Sequence, residues 1–332
     1  DGRHWQRTPV GTRHTKNKRI TYRQRVDSES AFFAWGPPFT HEDAERFCQQ
    51  AVAACPDAVT FTLCRTRGGR DVPALRVGRH KNGATPPRTI WVQARQHAWE
   101  SGSSWVCQGF IEWLTSDDKR ARILRKKSQI TVIPVMDIDN VAIGAGGQGQ
   151  RPQDHNRDWS DQPQWRSVSA AQQRIREMDE NGTFDLFIDL HNPDGLQRFP
   201  YFYLPPQNIL SERGLANQDR FLRAVKTEMT GQLAFRGLAK ESGADYDRAR
   251  WKNISKNWVV LNCRPHVVAV TLETPWNTPH SHTDGYRTVG RELGLAIERY
   301  LRQDSRDGGE LGSEGNEQQN REMEGIKQGD RK

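Results

Sequence analysis

Residues 89–105, TIWVQARQHAWESGSSW, carry a histidine and a carboxylate three residues apart, His97 and Glu100, on a loop between an apolar run and the start of a helix. Ala98 and Trp99 cover the bend, so both side chains can turn toward one cation, and an imidazole with a carboxylate suits zinc. A catalytic zinc generally takes three protein ligands and keeps one position open, so this pair needs a third from elsewhere in the fold. His191 is the best candidate, because the apolar run over residues 184–190 ends on it. Open α/β sheets bind ligands outside the carboxyl ends of their strands, and there His97, Glu100 and His191 would converge. A further apolar run over residues 267–272 also ends on a carboxylate, Glu273, which is then free to take a proton from water.

These stretches resemble the motifs of the zinc metallocarboxypeptidases, and specifically of the cytosolic-carboxypeptidase branch. RQHAWESGSSW is similar to that family's first zinc motif, FIDLHNP to the segment with its second zinc histidine, and TLETPW to the one with its catalytic glutamate. DHNRDW resembles an Asp-x-Asn-Arg motif whose Asn and Arg, here Asn156 and Arg157, hold the substrate's terminal carboxylate. AFFAWGPPFTHEDAERF looks like the segment by which the branch enters its catalytic domain, and the likeness runs over roughly residues 30–300. It implies one Zn2+ per chain held by His97, Glu100 and His191. It also implies Glu273 as general base, a peptide or protein C-terminus as substrate, and hydrolysis of the last peptide or isopeptide bond. Arg95 matches an arginine of the first motif and is expected either to assist at the carboxylate or to pair structurally. Asp189 or Asn192, flanking His191, is expected to orient an imidazole.

The sequence departs from the pattern in two places. The arginine that steadies the family's oxyanion would fall near position 147, which is glycine, and Arg151 is the nearby arginine left to do that work. The substrate-capping tyrosine has Tyr246 as its candidate and Trp251 as a substitute. The basic residues Arg248, Arg250, Lys252, Lys256 and Arg264 lie in or beside the span expected to line the terminal side chain's pocket, and they point to an acidic C-terminal residue. Two other readings share the motifs, an aspartoacylase-like zinc deacylase of N-acyl amino acids and a zinc-stabilised binding protein without activity.

Positioning such a site requires a sheet. Strands are predicted over residues 59–66, 72–77, about 89–94, 129–135, 184–190, 200–204 and 267–272, alternating with helices over 41–54, 103–116, 168–178, 217–229 and 284–302. That alternation predicts a three-layer α/β/α sandwich with a mixed, mostly parallel sheet of about eight strands. Residues 81–88 read as a loop, 137–157 as irregular backbone kept for function, and 233–257 as the mouth of the site. KRARILRKK, residues 119–127, reads as a solvated helix end rather than a nucleic-acid patch, since no aromatic residues are interleaved.

Composition bounds the rest. At 332 residues with 27% charged side chains and no apolar run of about 18, the chain excludes a membrane span. Five cysteines without CxxC spacing suggest reduced thiols in the cytoplasm. The last thirty residues hold eight acidic and five basic side chains, so the formal excess of +8 rises to +11 over residues 1–302, a body that attracts acidic partners. Residues 1–30 are expected to be an extended basic segment resembling the end of a small β-sandwich, with Arg19 to Val26 as an edge strand. Residues 31–302 are expected to be the catalytic domain, and 303–332 a disordered polar tail. The chain starts on Asp, which suggests a fragment or a processed form.

Overall fold

The computed structural model describes residue 5, residues 8–78 and residues 88–303. Of the loop expected at 81–88, residues 81–87 lie outside the described residues, as does the tail beyond 303, and Arg88 belongs to a strand. In chain order, a short hairpin of β1 (Thr12–His14) and β2 (Arg19–Thr21) precedes α1 (His41–Ala54), β3 (Ala58–Arg65), β4 (Asp71–Val77) and β5 (Arg88–Ala94). Next come α2 (Ser101–Leu114), α3 (Lys119–Lys127), β6 (Ser128–Ile133), α4 (Ile138–Ala142), α5 (Arg166–Glu180) and β7 (Phe184–His191). The chain closes with β8 (Tyr201–Leu204), α6 (Glu212–Glu228), β9 (Ala239–Glu241), α7 (Ser255–Asn262), β10 (Val268–Glu273) and α8 (Thr283–Arg302).

Among the described residues the main sheet has eight strands in the order β3-β4-β6-β5-β7-β10-β8-β9. β6, β5, β7 and β10 run parallel at its centre, and β4 and β8 flank them antiparallel. Parallel central strands need cover on both faces, and the side chains alternate accordingly. Ile90, Val92, Leu186, Ile188, Leu190, Val270 and Leu272 face a core shared with α2, α6 and α8. Trp91, Phe187 and Ala269 face a second core with α5, α7 and Trp159. The three-layer α/β sandwich is thus the observed fold.

Local sequence explains individual elements. Thr40 and Asp43 close a capping box at α1, with Asp43 N–H donating to Thr40 Oγ1 at 3.2 Å and Thr40 N–H to Asp43 Oδ2 at 2.7 Å. Ala44, Phe47, Cys48 and Ala51 then recur on its buried face. α2 and α8 cross at glycines. A Cβ on Gly290 would stand 1.9 Å from the Val106 carbonyl, and one on Gly109 would stand 2.0 Å from that of Arg287. The 119–127 stretch is a separate helix, α3, capped by Asp118. Its Ala121, Leu124 and Arg125 are buried, so it is not merely a solvated end. β9 and α7, within the stretch expected at the mouth, escaped the sequence patterns, as did β1 and the short α4 inside the stretch 137–157 expected to be irregular. The expected edge strand at 19–26 is only β2, paired with β1.

Register decides where the strands deliver their last residues. Glu273 pairs with His191 across β10 and β7, and Leu190 pairs with Ala94 across β7 and β5. Three parallel strands therefore end level, and the loops after them share one edge.

Candidate active site

The turn out of β5 is tight. Arg95 takes a left-handed backbone conformation, φ 64°, unusual for a side chain with a Cβ. Its buried guanidinium holds the loop shut, with Nε donating to the Ala98 carbonyl at 2.7 Å and Nη1 to the Phe39 carbonyl and Ser104 Oγ at 3.3 Å. Of the two roles expected for Arg95, this geometry is the structural one, and the structure does not bring it to the carboxylate clamp.

The loop so fixed aims His97 and Glu100 at His191. His97 Nδ1 lies 2.7 Å from Glu100 Oε1, and His191 Nδ1 lies 2.7 Å from Glu100 Oε2. One ligand atom from each residue falls within 4.8 Å of the other two, and all three residues are buried. The outer nitrogens are equally specified. His97 Nε2 faces Asp154 Oδ1 at 3.1 Å, and His191 Nε2 faces Asp189 Oδ2 at 3.0 Å. Each aspartate keeps the proton on Nε2 and leaves Nδ1 directed inward, the arrangement by which carboxylates orient metal-binding imidazoles. The donor set fits zinc, being two imidazoles and a carboxylate with a fourth position open. Without a cation, protons balance the charge. Burial opposes a charged His97, but Glu100 and Asp154 outweigh it and lift its pKa to about 9. Burial likewise opposes an ionised Glu100, yet the two imidazoles hold its carboxyl well below the usual range. A divalent ion among these atoms would replace those protons.

Asp189 is the second support. It is fully buried and accepts hydrogen bonds from Gln93, Gln96 and Ser255 Oγ as well as facing His191. Burial would raise its pKa, but His191 and these donors reverse that and lower it. Asn192, the other flanking candidate, instead ties loops together. Its N–H donates to Glu100 Oε2 at 3.2 Å, and its amide bridges Ser103 N–H and the Thr274 carbonyl.

Glu273 ends β10 beside this cluster, and its buried Oε2 has no hydrogen-bond partner. Burial, reinforced by Glu100, raises its carboxyl to about 7 against the pull of the imidazoles. Asn156 and Arg157 arrive on a single helical turn started by Asp154, whose side chain accepts from Asn156 N–H at 2.8 Å. Asn156 Nδ2 lies 3.4 Å from His191 Nε2, and its Oδ1 accepts from Ser255 N–H at 2.9 Å. Arg157 is buried, with Nε on Asp247 at 2.7 Å and Nη1 on the Asn156 carbonyl at 2.9 Å. Tyr246 lies under its guanidinium, 5.6 Å from ring centroid to Cζ, and packs on Tyr203. Trp251, the substitute for Tyr246, opens a short helical turn, residues 251–253, that packs beside the turn carrying Arg157, and its N–H donates to the Asp247 carbonyl at 3.0 Å. Arg151 is exposed and makes no hydrogen bond or ion pair among them.

Of the five basic residues expected near the pocket, four are exposed, and Arg264 donates to the Glu180 carbonyl at the end of α5. Lys256 is different. It is 1% exposed on α7, with Nζ donating to Ser242 Oγ and lying 5.9 Å from the Tyr203 ring centroid. Burial drives its pKa down to about 7, even with Asp189 and Glu273 pulling upward and Arg157 adding to the depression. The sequence grouped Lys256 with four basic neighbours expected around the pocket, without setting it apart from them, and gave Asp154 no role. The Asp154 signal was present as the first residue of DHNR.

The sequence profile of the zinc carboxypeptidases matches residues 44–309. The chain belongs to the zinc carboxypeptidase family. Zinc is this family's cofactor, and the enzymes in it are metal-dependent hydrolases. An uncharacterised protein of Zymomonas mobilis is 25% identical over 278 residues, 83% of this chain and 68% of that protein. Cytosolic carboxypeptidase 2 of Xenopus tropicalis is 27% identical over 157 residues, 42% of this chain but only 16% of that protein. This zinc carboxypeptidase also shares its fold with a metallo-carboxypeptidase of Burkholderia cenocepacia, with a TM-score of 0.77 at 21% identity over 91% of this chain and 79% of the other.

Proposed function

We propose that the chain hydrolyses the C-terminal peptide bond of peptides or protein tails, with preference for an acidic terminal residue. The observation that carries the reading is convergence. His97, Glu100 and His191 meet with both Nδ1 atoms directed inward, and Glu273, level with His191 in the sheet, offers an unpartnered carboxylate oxygen. His97, Glu100 and His191 would hold zinc, which when bound supplies Lewis acidity toward the carbonyl that is attacked.

The chain's own residues account for the remaining steps. Arg157 is pre-aligned by Asp247, and its planar guanidinium can take both oxygens of a terminal carboxylate while the Asn156 amide fixes their orientation. Such a clamp admits only a chain that ends. Tyr246, stacked against Arg157, covers the clamp. Glu273 Oε2 takes the proton of the attacking water and passes it to the departing amine. Arg151 is the cation we assign to the oxyanion. The acidic preference rests on Lys256, a buried amine near Arg157 and Glu273 whose pKa falls to about 7 and which an acidic side chain would draw into its charged form. The cytoplasmic setting is also an inference, supported by five unpaired cysteines.

The test is zinc content together with release of the last residue from a peptide ending in Glu, for the wild type and for Glu273→Gln. Both should bind about one zinc, with the variant slower by on the order of 10²–10⁴. Zinc binding without release of any C-terminal residue by the wild type, combined with cleavage of N-acyl amino acids, would refute the reading in favour of a deacylase.

A further inference from the structure

Three tryptophans that hold neither metal nor carboxylate stand together at the rim of this site. Trp99 lies between His97 and Glu100, Trp276 lies three residues beyond Glu273, and Trp35 lies on the segment leading into α1. The Trp35 and Trp99 rings are nearly parallel, with centroids 6.4 Å apart and an interplanar angle of 13°. Trp276 meets both edge-on, at 5.6 Å and 5.8 Å. The cluster is nevertheless open to solvent, since Trp35 is 73% exposed and Trp99 45%. Phe32 and Phe33 are exposed just before Trp35. Leu196 is exposed on a neighbouring loop, tied to that of Trp276 by the Asn277 amide donating to the Gly195 carbonyl at 3.2 Å.

The indole of Trp99 is fixed from behind. A Cβ on Gly147 would stand 2.1 Å from Trp99 Nε1, so the glycine at this position makes room for the ring. Large apolar faces left in water beside a catalytic centre mark a binding surface. The groups assigned to the terminal residue, Arg157, Tyr246 and Lys256, gather with Tyr203 in a separate cluster with no ring contact to the tryptophans among the described residues. A peptide held by its carboxylate at Arg157, with its last amide at Glu273, must lead its preceding residues out past the rim. An extended chain advances about 3.4 Å per residue, so the first two or three residues before the cleaved bond cross it.

We propose that Trp35, Trp99 and Trp276 form a subsite for an aromatic side chain carried by the substrate just upstream of the cleaved bond. The inference rests on reading the centre as a carboxypeptidase. Edge-to-face and offset stacking on three indoles selects a flat ring over a small polar side chain.

The experiment compares acetylated tetrapeptides ending in Glu, with Phe or Ser at each of the three positions before it, on the zinc-loaded wild type, Trp35→Ser and Trp35→Phe. The wild type should favour Phe over Ser at one position by about three- to tenfold in kcat/KM. That ratio should fall toward one in Trp35→Ser and largely return in Trp35→Phe. Binding of the same peptides to Glu273→Gln, followed by quenching of indole fluorescence, gives a readout independent of turnover. A ratio near one at every position, or one unchanged in Trp35→Ser, overturns the subsite. Binding that favours Phe and depends on Trp35, without cleavage of any peptide, upholds the subsite and sinks the carboxypeptidase reading instead.

Discussion

Replacing Lys256 by Met tests two consequences of one buried amine. In the folded protein its pKa is about 7 against an ordinary 10.5, so the folded state resists protonation that the unfolded chain accepts. The group's cost is small above pH 10.5, grows as pH falls toward 7, and is constant below that. With about 1.4 kcal/mol per pKa unit, stability of the wild type relative to Lys256→Met should drop by about 3 kcal/mol between pH 9.5 and pH 7. Urea unfolding of both proteins at several pH values measures this directly, and the difference cancels the titration of every group they share. The second consequence concerns specificity. A charge-assisted hydrogen bond from Lys256 to an acidic side chain, worth about 1.5–3 kcal/mol, should favour terminal Glu over terminal Leu by roughly 10- to 100-fold. Lys256→Met should erase most of that preference while leaving release of Leu nearly intact. The preference should also fade as pH rises through 7 in the wild type. A stability difference that does not vary with pH would show that the amine is not held uncharged by its surroundings. An unchanged Glu-to-Leu ratio would show that it does not meet the substrate.

Three further outcomes follow from the geometry. Asp154→Asn removes the carboxylate 3.1 Å from His97 Nε2, and zinc affinity, read by competition with a chromophoric chelator, should weaken by about 10- to 100-fold. Gly290→Ala places a methyl 1.9 Å from the Val106 carbonyl, where α2 and α8 touch backbone to backbone, and should cost about 3 kcal/mol in urea unfolding. Gly146→Ala, with open space at its Cβ, should stay within about 0.5 kcal/mol of the wild type.

What could be read from the chain alone follows from local rules. Apolar runs ending on His191 and Glu273 identify buried strands and the chemistry at their ends, because a central parallel strand is mostly apolar and its carboxyl end is where a sheet gathers its functional polar groups. α1 was legible from Thr40 and its apolar spacing, and the HxxE pair is meaningful because its two members are neighbours on one loop. The sequence therefore determined the α/β class, the order of most strands and helices, and the residues that meet at the candidate metal centre. It left Asp189 and Asn192 as alternatives for orienting an imidazole, and it could not supply Asp154 as the partner of His97 Nε2, because Asp154 lies 57 residues from that histidine and only the folded sheet edge brings the two together. Nor could it separate Lys256 from its exposed neighbours. A basic residue in a polar stretch reads as solvated, and α7 buries it only by packing against β7 and β10. The same holds for Trp35, Trp99 and Trp276, spread over more than two hundred residues of sequence and brought into contact by three loops. Local spacing determines what a segment becomes; which distant polar and aromatic groups it must face is decided when the strands come into register.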